Sequence, residues 1–133
     1  MKKVMIFGTF DIFHPGHQSF LEQAKKCGDY LIVVVARDET VVKVKKQGTI
    51  NNERKRLETI KKNELSDKVV MGSLGDKYEV LKKHKPDVIC LGYDQKFFVD
   101  KLKDKLEEFK LNNTKIIKLK SYRPEIYKSS KLK

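Results

Sequence analysis

Tryptophan is absent from this chain, and cysteine, proline and glycine are scarce, at two, three and seven residues in 133. Two cysteines without CxxC spacing exclude a disulfide-stapled scaffold and a zinc site built on paired CxxC motifs. Cys27 and Cys90 have apolar neighbours and are expected as buried free thiols. So little proline and glycine excludes collagen-like and low-complexity chains. No apolar run approaches the roughly 18 residues that a membrane span needs. The opening MKKVMIFG passes straight into a strand pattern, so neither a signal peptide nor a membrane partner is expected, and the cytoplasm is the expected location.

Acid is also in deficit, with 18 Asp and Glu against 30 Lys and Arg and a formal net charge of +12. The basic residues are dispersed, with acids interleaved through most of the chain. Only residues 113–133, where Glu125 is the single acid, form a basic stretch. A dispersed positive field suits any polyanion, including small ones such as nucleotides and pyrophosphate, and no nucleic-acid partner is expected. What remains is 39% hydrophobic and 36% charged, the composition of a soluble globular protein. The length fits one domain over residues 1–133.

Five short runs rich in β-branched residues punctuate the chain: 4–7, 30–36, 68–71, 87–91 and 115–119. The second and fourth are nearly continuous apolar runs, as expected of parallel strands covered on both faces. Helical spacing fills the gaps. Residues 19–26 precede Gly28, a C-terminal stop, and Glu53 to Lys62 places Leu57 and Ile60 on one face. Lys77 to His84 carries Val80 and Leu81, and Phe97 to Leu111 spaces Phe98, Leu102, Leu106 and Phe109 as a core stripe. Alternating strands and helices predict an α/β fold: one Rossmann-like domain with a five-stranded parallel sheet and helices on both faces. Ligands in such sheets bind beyond the carboxyl ends of the strands, where strand order reverses. The segments after the first and fourth strands are therefore the candidates, and they read GTFDIFHPGH and GYDQ. Residues 40–52 form an irregular polar loop, a kind of segment that is functional or disordered in compact domains.

In the first candidate, Gly8 would let a ligand approach the backbone, and His14-Pro15-Gly16-His17 opens a helix whose free N–H groups suit an anion. His14 and His17, three apart, lie on the same side of one turn and can donate to phosphate oxygens. The alternatives are half of a metal site, which no other Cys/His pair supports, or ordinary polar loop residues.

Gly8-Thr9-Phe10-Asp11 followed by His14-Pro15-Gly16-His17 resembles the G-T-F-D-x-x-H-x-G-H signature of the cytidylyltransferase-like nucleotidyltransferases. The likeness extends over essentially the whole chain. A second family signature, Arg-Thr-Glu-Gly-Ile-Ser-Thr-Thr, has its counterpart in residues 123–130: Arg123, Glu125, Ser129 and Ser130 match, whereas Ile126 and Lys128 depart from it.

This resemblance implies that a phosphorylated alcohol attacks the α-phosphate of a nucleoside triphosphate and releases pyrophosphate. It implies that backbone amides of Gly8, Thr9 and Phe10, with Gly16, His14 and His17, hold the triphosphate. Asp11 would either face a metal or position the loop, and a divalent ion, usually magnesium, would bridge the phosphates. Lys43, Lys45 and Lys46 would close over phosphates or form a solvated face. Arg56 falls near a family arginine and would bind the nucleotide, Gly92 and Asp94 lie at the mouth of the site, and Arg123, Ser129 and Ser130 would order around the triphosphate. His14, His17, Lys46 and Arg123 are the residues expected to carry the chemistry. Relatives of this size are commonly homodimers, so a homodimer is expected.

Two subfamilies compete. The opening resembles bacterial glycerol-3-phosphate cytidylyltransferases, which use CTP, and this is the leading expectation. Gly92-Tyr93-Asp94-Gln95 and Ala36-Arg37-Asp38 resemble archaeal-type FAD synthetases, which transfer an adenylyl group from ATP to FMN. A nucleotide- or RNA-binding module without catalysis is a remote alternative.

Overall fold

The protein is described by a computed structural model over residues 1–39, 41, 50–72, 78–92 and 102–119. Five parallel strands, β1 (Lys3–Gly8), β2 (Tyr30–Val35), β3 (Lys68–Met71), β4 (Val88–Leu91) and β5 (Lys115–Lys118), form one sheet in the order β3-β2-β1-β4-β5. Strand order reverses between β1 and β4, so the segments that follow them leave the sheet side by side. The central strands are the apolar ones: all four residues of β4 and five of the six in β2 are buried. The edge strands KVVM and KIIK are only half-buried and begin with lysine, which discourages pairing with another chain.

Helices α1 (Pro15–Lys25), α2 (Glu53–Lys61), α3 (Glu79–His84) and α4 (Leu102–Glu108) cover both faces. One core joins Leu21, Ala24 and Ile60 of α1 and α2 to Val4, Ile6, Val33 and Cys90 of the sheet. The other joins Val80, Leu81, Leu102 and Leu106 of α3 and α4 to Met5, Ile32, Val34 and Ile89. The predicted doubly covered parallel sheet is therefore observed. Cys90 is fully buried, and both cysteines are free thiols. Burial, with Cys27 beside it, pushes the Cys90 thiol far above its usual pKa. The Cys27 thiol caps the Gln23 carbonyl at 3.4 Å.

Three aspartates set the register at the amino edge of the sheet. Asp29, Asp67 and Asp87 each stand just before a strand. Each donates its own N–H to a neighbouring carbonyl (Lys2, Leu31 and Lys3) at 2.8–2.9 Å. Each also accepts the N–H of that same neighbour on its carboxylate, at 2.9, 2.8 and 2.8 Å respectively. A parallel strand slipped by one residue would lose both bonds.

Helix ends differ from expectation in an informative way. Gly28 does not stop α1 with a left-handed residue, since no described glycine has positive φ and the cap Lys26 is right-handed. Gly28 is required by space: a Cβ there would lie 2.6 Å from Val4 Cγ2 and 2.8 Å from the Lys2 carbonyl. The left-handed stops are lysines instead, Lys85 at φ 47° after α3 and Lys110 at φ 60° after α4. Lys110 ends α4 before the predicted Leu111, and the Leu111 N–H closes back onto the Leu106 carbonyl at 2.7 Å. Helix α1 starts at Pro15, whose fixed φ suits a first turn, within the His14-Pro15-Gly16-His17 opening expected from the sequence. Residues 77 and 97–101 of the two later helices lie outside the described residues.

Candidate active site

β1 delivers its last residue, Gly8, to the carboxyl edge of the sheet, and the chain then turns sharply. Phe10 adopts φ 52°, an unusual conformation for a bulky side chain, and its ring folds back over Gly8. A Cβ on Gly8 would lie 2.6 Å from Phe10 Cζ. Gly8 therefore makes room for the Phe10 ring, a demand that the sequence does not show.

The buried Phe10 ring meets His17 edge-on, with centroids 5.3 Å apart. His17 stacks on His14 at 3.9 Å, with the planes inclined by 22°. Phe13 closes the other side at 5.6 Å from His17. The two imidazoles thus share one aromatic stack at the start of α1, as the three-residue spacing predicts. His14 is also the N-cap of that helix: its Nδ1 accepts the Gly16 N–H at 3.0 Å, and its carbonyl accepts the His17 N–H at 2.9 Å. Gly16 thus gives its amide to the cap. With Nδ1 accepting, the proton of the neutral ring sits on Nε2. Burial lowers the His14 pKa and holds the ring neutral.

Asp11 is buried and turned toward the segment before α2. One carboxylate oxygen accepts the Ile50 N–H and the other the Asn51 N–H, both at 2.8 Å. Asn51 Nδ2 donates back to the Asp11 carbonyl at 2.6 Å. Of the two roles open to Asp11, the structure supports positioning the loop. The described donors do not fit a protein-held magnesium. Both Asp11 oxygens serve amides, and among the described residues no group of three or more His, Cys, Asp or Glu gathers to hold a metal ion.

Arg56 is buried too, and this corrects its expected place against the ligand. Its Nε donates to the Asn51 carbonyl at 3.1 Å, one terminal nitrogen to the Thr9 carbonyl at 2.8 Å and the other to Asp38 Oδ1 at 2.7 Å. Asp38 and Glu53 exchange backbone-to-carboxylate bonds at 2.9 and 3.2 Å. Arg37 joins Glu53 at 3.2 Å and the Gly72 carbonyl at 2.8 Å. This network ties together the carboxyl ends of β1, β2 and β3 and the start of α2. Asn51 and Glu53 were missed as site residues. Their signal was faint: a short polar stretch before a helix reads as a capping turn and nothing more.

Gly92 follows β4, beside the β1 turn, as expected from the strand order. Lys43, Lys45, Lys46, Tyr93, Asp94, Gln95, Phe97, Phe98, Arg123, Glu125, Ser129 and Ser130 lie outside the described residues.

A stacked imidazole pair on a helix start, at the point where a parallel sheet reverses its order, is suited to binding phosphate oxygens. The cytidylyltransferase-like family profile matches residues 5–133. The chain belongs to this family. Among its members, a FAD synthase of Methanothermobacter thermautotrophicus is 48% identical over 109 residues, which is 80% of this chain and 72% of the relative. A FAD synthase of Pyrococcus horikoshii is 44% identical over 132 residues, covering 98% of this chain and 86% of the relative. In three dimensions the chain is similar to a lipopolysaccharide core biosynthesis protein from Thermoplasma volcanium. That match has a TM-score of 0.84 and 39% identity, covering 92% of this chain and 98% of that one. The family and these relatives make the chain a nucleotidyltransferase, an enzyme acting on small-molecule substrates. Among the described residues no helix is long and apolar enough to cross a membrane.

Proposed function

We propose that this enzyme transfers the adenylyl group of ATP to FMN, forming FAD and releasing pyrophosphate. The observation that carries the choice of substrates is the 44–48% identity to FAD synthases across most of the chain. It favours the flavin acceptor over glycerol 3-phosphate, the acceptor ranked first from the sequence alone. The Gly92-Tyr93-Asp94-Gln95 stretch points the same way. In the Ala36-Arg37-Asp38 stretch, Arg37 binds Gly72 and Glu53 and Asp38 binds Arg56, while both side chains stay partly exposed at the carboxyl end of β2.

In the proposed step an oxygen of the FMN phosphate attacks the α-phosphorus of ATP. The bond from that phosphorus to the bridging oxygen breaks, and the oxygen leaves with the electron pair on pyrophosphate. No covalent enzyme intermediate is needed, so catalysis is alignment and charge stabilisation. His14, neutral with its proton on Nε2, donates to a phosphate oxygen as negative charge grows, and His17 stacked behind it fixes its plane and supplies a second donor. Lys46 and Arg123, with Lys43, Lys45, Ser129 and Ser130, complete the triphosphate contacts in this proposal, and Asp94 stands at the mouth of the site. Magnesium travels with the triphosphate as its counterion. The working unit is proposed to be a homodimer, which light scattering at several concentrations tests.

The decisive experiment mixes the purified chain and magnesium with ATP or CTP and with FMN or glycerol 3-phosphate, and weighs the products. FAD formed from ATP and FMN is expected. A CDP-polyol as the sole product would overturn the proposal.

A further inference from the structure

A fully buried arginine is a costly way to pack a helix on a sheet, since an apolar side chain fills the same space without losing hydration. Arg56 uses its planar fork on three acceptors from three segments: Thr9 after β1, Asn51 before α2 and Asp38 after β2. The bond to Thr9 governs the next residue. Peptides here are trans, so the Thr9 carbonyl and the Phe10 N–H point in opposite directions. Arg56, holding the carbonyl, turns the Phe10 N–H away from the interior. Asn51 repeats the device two residues on: its amide holds the Asp11 carbonyl at 2.6 Å, which turns the Ile12 N–H away in the same manner. Among the described residues neither of these N–H groups has an acceptor. Backbone N–H groups presented at a tight turn are anion sites.

We propose that Arg56 is a positioning residue of the active site. From within the protein it locks the Thr9 carbonyl, and through Asn51 the Asp11 carbonyl, so that the Phe10 and Ile12 amides stand ready for phosphate oxygens of the nucleotide. The identity of that anion rests on the nucleotidyl-transfer function. Lysine cannot replace the fork, because a single ammonium cannot serve three acceptors spread around a plane.

The test uses the full chain labelled with nitrogen-15 and inorganic tripolyphosphate as probe. In the wild type the Phe10 and Ile12 amide resonances should move on titration. In Arg56→Lys, tripolyphosphate affinity should fall at least about 10-fold, and kcat about 10- to 100-fold, for loss of preorganised donors. Adenosine affinity and the KM for FMN should stay unchanged, a split that a merely weakened fold does not produce. Resonances that do not move in the wild type, or wild-type tripolyphosphate affinity in Arg56→Lys, would overturn the proposal. If Arg56→Lys does not fold, Asp38→Asn, which keeps the guanidinium but removes its counter-charge, carries the same comparison with the same two outcomes. A wild type that moves these amides with tripolyphosphate yet makes no FAD would count against the flavin acceptor and for this role of Arg56.

Discussion

His14 has two tasks that two substitutions can separate. Its Nδ1 caps α1, and its Nε2–H is the donor proposed for phosphate. His14→Ala removes both and should cost about 1 kcal/mol of stability as a lost cap, together with about 10²-fold in turnover as a lost donor. His14→Asn supplies a side-chain oxygen for the cap but no donor at the Nε2 position, so the melting temperature should recover and turnover should not. Full turnover in purified His14→Asn would refute the donor role. The same residue carries a pH signature. Burial lowers its folded pKa below the ordinary 6.5, so between those values the unfolded chain binds the extra proton. Its contribution is intact above about pH 6.5 and shrinks as pH falls below it. His84, lowered by burial and then by the charges of Lys68, Lys83 and Lys3, acts in the same direction. Melting temperature should therefore drop between about pH 7 and pH 5, and less steeply in His14→Asn. The histidine pair was legible because its spacing and its place after a strand are local facts. The left-handed Phe10 and the buried Arg56 were not, because both depend on a carbonyl or ring brought close only by the fold.

Among the elements, the strands announced themselves, whereas the residues that cap the helices did not. Continuous β-branched runs such as YLIVVV carry their burial in their composition, and all five predicted strands are present within a residue or two. The ends of α2 and α3 fall within a residue of the predicted Lys62 and His84, but Gly28 answers a steric demand, and Lys85 and Lys110 take the left-handed role usual for glycine. No local propensity marks a lysine for that task. Lys85→Gly should consequently stabilise the protein by about 0.5–1 kcal/mol, since glycine takes a positive φ without the Cβ penalty. A lower melting temperature in that variant would show that the Lys85 side chain contributes more than its backbone costs. The aspartates at the amino edge invite the opposite experiment. Burial opposes ionisation of Asp67, but the Leu31 N–H and the Lys25 ammonium outweigh it and hold the carboxyl below its usual range. Asp67→Ala should lose about 1–2 kcal/mol near neutral pH. Because the folded pKa is depressed, the loss should fade as pH falls through that lowered value, where the wild type also surrenders the ion. A pH-independent difference in urea midpoints would rule the charge out as its source.

For the molecule as a whole, the order β3-β2-β1-β4-β5 places the β1 turn and Gly92 together at one end of the sheet, while the register-setting aspartates occupy the other. The proposed recognition site and the register-setting bonds therefore lie at opposite edges, and a net charge of +12 surrounds both. Both proposed substrates, ATP and FMN, are anions, so that field should act on capture rather than on the chemical step. Capture by dispersed surface charge is screened once the Debye length, about 10 Å at 0.1 M salt, shrinks to a few ångströms. Contacts inside a dry site are screened far less. Raising sodium chloride from about 0.05 to about 0.5 M should therefore raise the KM for ATP several-fold and change kcat less than about two-fold. Adenosine, which has the base and sugar but no phosphate, should bind equally well at both salt concentrations. A KM for ATP that stays flat across this range would mean that the lysines serve solubility alone, and that the triphosphate is held entirely by groups inside the site.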